Sequence, residues 1–273
     1  MALEFFRKKI ELKYMKKIAI LISGQIRIFE KNISFFNDLK KSLPDYEITI
    51  VSSVWENQNE LNIFKEKYNI KFIDQIKEQD WSNYISQVKY VTWEENSGFK
   101  IPNVFHMWYS IVENIKLLEK INEKEKINFD YVLRFRTDII CKKGLNNLAN
   151  EIKSLNSGEV LFPSNLHWKG LNDAFFMSDF STALRFKNFF FFLEKFIRDM
   201  RVFDPEYILY SFINENKFKI KIINDFDLAI IRIEESKPTK LVFVPLRDRI
   251  KMKLAKQKIK FLRFRNKFKL GAK

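Results

Sequence analysis

The sequence predicts an α/β fold in which a mainly parallel, Rossmann-type sheet is covered by helices on both sides. Short apolar runs of strand length alternate with longer amphipathic segments through most of the 273 residues. The opening run is apolar enough to be buried on both faces, as a central parallel strand requires. Polar residues also gather where the predicted strands end, and in such sheets ligands bind beyond the carboxyl ends of the strands.

The first strand covers Lys17 to Ser23 in "MKKIAILISGQIR" and ends in the turn Ser23-Gly24-Gln25. A helical stretch follows to Leu43, and Pro44-Asp45 breaks it. "YEITIVSSVW" (Tyr46 to Trp55) is the second strand, a helix spans about Asn59 to Lys67, and "IKFIDQI" is the third strand. Phe105 to Lys126 is an amphipathic helix, with Trp108, Ile111, Ile115, Leu118 and Ile121 at helical spacing. It leads into "FDYVLRFRTDII", expected as one strand. "GEVLFPS" and "NDAFFMSD" are the fifth and sixth strands. Helices follow over about Ser181 to Arg201 and from Pro205 to about Asn216, and "FKIKIINDFDLAIIRI" closes the body as strand material. The "FFFF" run, Phe189 to Phe192, is expected to pack on every side of its helix. No internal repeat is visible.

Composition narrows the classes. The chain is 46% hydrophobic and 30% charged, which suits a folded domain rather than a disordered chain. Cys141 stands alone, so no internal disulfide framework exists and a reducing compartment is expected. No stretch reaches the roughly 18 apolar residues a membrane-spanning helix needs. The N-terminus lacks a signal-peptide pattern, and a cytoplasmic location is expected. His106 and His167 have no second His or Cys at ligand spacing, which argues against a zinc site. No Walker or G-x-G-x-x-G pattern accompanies Gly24, which argues against a P-loop enzyme and a standard dinucleotide binder.

The formal charge of +15 is local. Residues 237–273 hold 14 Lys and Arg against one acid, Asp248, so the body before them is nearly neutral. Three segments result: an extension over 1–14, a body over 15–236 and a basic tail over 237–273. In the tail, Ile250, Leu254, Phe261, Phe264 and Phe268 recur near helical spacing among the cations. That is the pattern of an interfacial amphipathic helix on anionic lipid. The rival reading is a nucleic-acid arm, but a phosphate-binding arm has no need of the interleaved Phe and Leu.

Chemistry concentrates in "YVLRFRTDI". It places Arg134 and Arg136 beside Asp138 at the end of an apolar strand, where a carboxylate can hold a divalent cation with substrate phosphates. With "SGQIR" and "NDAF", these motifs make the chain resemble small GT-A glycosyltransferases of bacterial capsule and lipopolysaccharide synthesis, of the WavE-like kind. The matching residues are Ser23, Gly24, Gln25 and Arg27 in an S-G-Q-x-R segment, Arg134, Arg136 and Asp138 in R-x-R-x-D, and Asn172-Asp173-Ala174-Phe175 in N-D-x-F. The resemblance covers about Met15 to Ile231. It implies a GT-A-like catalytic domain that moves a sugar from a nucleotide-sugar donor to a saccharide or lipid-linked acceptor. Ser23, Gly24, Gln25, Arg27, Arg134, Arg136 and Asp138 would bind the donor. Asp138, at the last position of the usual D-x-D motif, would ligate Mn²⁺ or Mg²⁺. The first position of that motif is Arg136 here, so this guanidinium would supply part of the metal's charge.

Asp173 is the candidate base for the acceptor hydroxyl, with Glu206 the weaker alternative. His167, Trp168 and Asn172, in the sugar-stacking stretch "NLHWKGLND", would meet the acceptor. The resulting expectation is a peripheral enzyme on the inner face of the cytoplasmic membrane. The alternatives are a non-catalytic nucleic-acid-binding protein and a catalytically inactive assembly partner of the same fold.

Overall fold

The computed structural model describes residues 15–26, 29–56, 59–88, 90–91, 100–167, 170–200, 202–230, 250 and 253–261. Arg27, Trp168, the 1–14 extension and most of the basic tail lie outside them.

The chain opens with β1 (Lys16–Gly24), a 3-10 turn (Phe29–Asn32) and α1 (Ile33–Ser42). Next come β2 (Tyr46–Trp55), α2 (Leu61–Lys67), β3 (Phe72–Ile76), the short α3 (Ser82–Ile85) and the two-residue β4 (Tyr90–Val91). The long α4 (Ile101–Glu125) leads to β5 (Tyr131–Phe135), β6 (Ile139–Lys143) and α5 (Leu145–Lys153). β7 (Glu159–Phe162), β8 (Phe175–Asp179), α6 (Phe180–Leu184), α7 (Phe189–Met200), β9 (Val202–Phe203), α8 (Pro205–Glu215), β10 (Lys219–Ile222) and β11 (Asp227–Ile230) complete the body.

Seven strands form the central sheet in the order β10-β7-β8-β5-β1-β2-β3. β1 pairs in parallel with β2 and β5, β2 with β3, and β7 with β10; only β8 runs antiparallel, between β5 and β7. The fold is α/β, with a mostly parallel sheet between helices. β1 explains why: Ile18, Ile20 and Ile22 pack into a cluster with Phe35, Phe36, Leu148 and Ile152. Ala19 and Leu21 face the other way, into a cluster with Trp108, Ile111, Ile115 and Leu118. Both faces are therefore covered, by α1 and α5 on one side and by α4 on the other.

Four expectations change. The strand expected over 129–140 splits into β5 and β6, because the chain turns at Thr137-Asp138. β6 leaves the central sheet and pairs antiparallel with β11. The closing strand material likewise divides between β10 and β11, which belong to different sheets. In the "FFFF" run, Phe189 is fully buried but Phe191 is 78% exposed, so the helix has an outward face after all.

The helix over 253–261 is seated on the body. Ala255 and Ile259 are buried in the α4-side cluster, and Lys258 donates to Asn214 Oδ1 of α8 at 3.1 Å. Ile250, Leu254 and Phe261 are exposed. Among the described residues, no helix is long and apolar enough to cross a membrane.

Candidate functional site

Three chain segments meet at the carboxyl edge of the sheet's centre. β1 ends in Ser23-Gly24, and Gly24 has φ +93°, a conformation open to glycine at little cost. A Cβ there would also lie 3.3 Å from Ser110 Oγ of α4. Ser23 lies opposite Ser53 of β2 in the parallel register. Past the strand, the Gln25 carbonyl accepts from Thr137 Oγ1 at 3.3 Å, and the Thr137 carbonyl accepts from the buried Asn32 Nδ2 at 2.6 Å. These bonds tie the "SGQ" segment to the β5–β6 turn.

The third segment is the loop before β8. Asn172 Oδ1 accepts from the backbone N–H of Ala174 and of Phe175, at 2.8 and 3.0 Å. The Asn172 backbone N–H donates to His167 Nδ1 at 3.1 Å, while His167 Nε2 lies 2.7 Å from the Pro163 carbonyl. With Nδ1 accepting from Asn172, Nε2 is the nitrogen that donates to the Pro163 carbonyl. Both residues, expected to meet an acceptor, hold the loop's shape with these atoms. The loop is pinned at two further points. Arg136 N–H donates to the Ala174 carbonyl at 3.1 Å, and Leu171 N–H donates to the Glu206 carbonyl at 3.0 Å. Gly170 makes the second contact possible, since a Cβ there would fall 2.0 Å from the Glu206 carbonyl oxygen.

Arg136 is the hub. Its Nε and Nη2 donate to the two carboxylate oxygens of Asp138 at 2.8 and 2.5 Å. Its Nη1 stands 3.9 Å from Asp173 Oδ1. The fork-to-carboxylate geometry is the strong form of ion pair. The sequence places Arg136 beside Asp138 at the end of one strand; the turn at Thr137-Asp138 is what brings their side chains together. Burial opposes the charge of Arg136, but Asp138, Asp173 and the Glu206 carboxylate outweigh it and hold the guanidinium above its ordinary range. Burial also raises the pKa of Asp173 above that of an ordinary carboxylate, with Arg136 and Arg134 restraining the rise.

Arg134 stands behind this pair, on β5. It is 1% exposed, Nη1 donates to the Phe135 carbonyl at 2.6 Å, and Nε has no partner. No carboxylate is within ion-pair distance of it among the described residues. Burial, reinforced by the charge of Arg136, pushes its pKa down to about 9. Ser23 Oγ, at the same edge, is also buried without a partner. Buried polar groups are nearly always hydrogen-bonded, so such exceptions mark places where a ligand can complete the site.

Sequence reasoning understated α8. Asp204 caps that helix, accepting from Tyr207 N–H at 2.9 Å, and Glu206 is buried where its charge reaches Arg136. The signal was Pro205 at the start of a helix, which reads equally as an ordinary exposed first turn.

The donor set does not fit a divalent cation. Both oxygens of Asp138 are engaged by Arg136, and among the described residues no group of three His, Cys, Asp or Glu stands together to hold a metal. Hard divalent ions need several oxygen ligands, usually including one or two available carboxylates.

A family model described as "Domain of unknown function (DUF7796)" matches residues 13–189. No curated protein matches the chain. Among solved structures, the chain is similar to the galactosyltransferase LgtC in complex with donor and acceptor sugar analogues. Identity is 12% over 75% of this chain and 72% of that one, with a TM-score of 0.44. It is also similar to core-mannan synthase A of Aspergillus fumigatus in its Mn/GDP form, with 10% identity over 84% and 79% of the two chains and a TM-score of 0.47. A third is a putative nucleotide-diphospho-sugar transferase of Desulfovibrio desulfuricans G20, with 9% identity over 76% and 78% and a TM-score of 0.37.

Proposed function

The chain belongs to the family described as a domain of unknown function (DUF7796), and we propose that it is a glycosyltransferase that uses a nucleotide-sugar donor. The observation that carries this reading is Arg136 standing 3.9 Å from Asp173, with the buried Arg134 two residues earlier on β5, at the carboxyl edge of a mostly parallel sheet, the usual place for ligands in such sheets. The three motifs resembling WavE-like enzymes supply the segments that converge there, which supports the same reading.

In this mechanism a nucleoside diphosphate leaves and its growing charge must be met by preorganised cations or N–H donors. Arg136 presents Nη1 toward the site and Arg134 adds a buried charge behind it. Ser23 Oγ offers a hydroxyl at the end of β1, and Gly24 keeps the backbone there uncluttered. Asp173, held beside Arg136, takes the proton from the acceptor hydroxyl as it attacks the anomeric carbon. Its burial favours proton uptake, which suits a base. The acceptor proposed is a saccharide or lipid-linked glycan of a bacterial surface polysaccharide.

The test is incubation of the full chain with UDP-, GDP-, CDP- and CMP-linked sugars, each with and without a mixed glycan acceptor, while nucleotide release is followed. Acceptor-stimulated release from one donor is expected. No release from any donor, together with no nucleotide binding by calorimetry, would remove the enzyme reading.

The proposal includes attachment to an anionic membrane surface through the C-terminal helix. Leu254 and Phe261 are 58% and 62% exposed while Ala255 and Ile259 anchor the opposite side, with Lys253, Lys256 and Lys260 exposed alongside. An apolar outer face flanked by cations suits lipid with negative headgroups. Flotation with phosphatidylserine vesicles is expected to carry the protein, and Leu254→Glu with Phe261→Glu is expected to leave it unbound. Equal flotation with neutral phosphatidylcholine vesicles would contradict the charge contribution. Preferential binding to RNA would favour the nucleic-acid arm instead.

A further inference from the structure

We infer that this site meets the donor diphosphate with guanidinium charge in place of a divalent cation, and that Asp138 is the positioning partner of Arg136 rather than a metal ligand. The inference rests on the transferase reading above and concerns how that same site binds its donor.

Geometry is the first support. A carboxylate has two oxygens, and both of those on Asp138 accept from one guanidinium, at Nε and Nη2. A cation arriving at Asp138 would have to share the carboxylate with Arg136, placing a second positive charge beside the guanidinium in a largely buried place. The side chains of Arg136 and Asp138 are only 22% and 11% exposed, so water screens little of that repulsion. The other carboxylate at the site, Asp173, faces a different nitrogen of the same guanidinium, Nη1, at 3.9 Å.

The orientation of Arg136 is the second support. Asp138 engages the Nε–Nη2 edge, which fixes the plane of the group and turns Nη1 toward Asp173 at 3.9 Å. Nη1 makes no hydrogen bond among the described residues. Its N–H groups therefore remain for a ligand oxygen, beside the carboxylate assigned as the base. A planar fork held by one carboxylate and open on its other edge is a built anion contact.

Arg134 is the third. A guanidinium that is 1% exposed, with Nε unpartnered and no carboxylate in direct contact, is costly to bury. A bound anion would offset that cost. Two arginines two residues apart, Arg136 partly exposed and Arg134 buried, give a diphosphate the cationic charge that a metal supplies elsewhere.

The experiment is calorimetric titration of UDP, GDP and CDP into the full chain in EDTA and again in Mn²⁺, with Mn²⁺ binding followed separately by its electron paramagnetic resonance signal. For the nucleotide that binds, Kd is expected to agree within about twofold between the two conditions, because no metal bridges the phosphates to Asp138. Arg136→Gln is expected to weaken binding by about tenfold or more, and Arg136→Lys by less, since Lys keeps the charge and loses the fork. Asp138→Asn is expected to weaken binding by about threefold, equally in EDTA and Mn²⁺, by loosening Arg136. Circular dichroism melting confirms that each variant is folded, and the Lys variant carries the test if the Gln variant is not.

The inference is overturned if Mn²⁺ tightens the nucleotide tenfold or more and Asp138→Asn abolishes that gain. It is also overturned if Arg136→Gln binds like the wild type. Absence of nucleotide binding in both EDTA and Mn²⁺ overturns the transferase reading itself, a distinct result.

Discussion

Asp173→Asn is expected to slow sugar transfer by about 10²–10⁴-fold, the usual contribution of a positioned general base, while nucleotide affinity stays near that of the wild type. Asn keeps the size of the side chain and its place beside Arg136, but it cannot accept the acceptor's proton. The loss should therefore appear in kcat and not in donor binding. The pH profile adds a second signature. The carboxyl of Asp173 has a pKa raised by burial, so the working, deprotonated form is lost as pH falls through a value above the ordinary carboxylate range. The wild type should show an acid limb displaced upward, and the Asn variant should show none. A variant with full activity and the same acid limb would move the base to another residue, with Glu206 the first candidate because it is buried where its charge reaches Arg136.

Arg136→Gln is expected to cost about 3 kcal/mol of folding stability at neutral pH, the order found when one member of a buried ion pair is removed. It would leave Asp138 and Asp173 largely buried, at 11% and 14% side-chain exposure, without their cation. Urea unfolding at two pH values provides the check. Arg136 restrains the upward shift of Asp173, so in the variant the folded-state pKa of Asp173 rises further above its unfolded value. A raised acid contributes stability below the unfolded pKa and loses it as pH climbs through the folded pKa. The deficit of the variant should accordingly be greatest at neutral pH and shrink on acidification. Adding Asp138→Asn should recover part of the loss, since the pair is then removed as a unit. An unchanged urea midpoint would mean that water already solvates these carboxylates.

Much of the fold was legible because the physics that builds a central parallel strand is local. "KKIAILIS" is apolar at every position from Ile18 to Ile22, and both of its faces are buried. α4 was legible from a single stripe, Trp108 to Ile121, and that stripe is the one packed on the sheet. α5 was overlooked although its signal was present: Leu148, Ala149 and Ile152 recur at helical spacing and are buried, within a helix of nine residues. The antiparallel course of β8 was not legible, because an apolar run carries no mark of its direction. Phe176 and Phe175 would look the same in either orientation.

The residue types of the site and their gathering at strand ends could be read directly from the chain. "SGQ", "RFRTD" and "ND" each follow or precede a strand, and an α/β sheet carries strand ends to a common edge. How those residues divide their labour depended on the shape of one turn and on contacts between distant segments. Arg136 grips Asp138 through a turn and not across a strand face, and the register of β5 on β1 buries Arg134 opposite Leu21. The start of α8 supplies Glu206 from beyond the N-D-x-F motif, through a close approach that Gly170 permits. Charge, hydropathy and spacing are properties of neighbours in sequence, and they specify which segments bury and where the polar residues fall. Whether Asp173 reaches the guanidinium of Arg136, and whether Arg134 finds a counter-ion, depends on segments distant in sequence that packing brings together. Only packing in three dimensions selects among those arrangements.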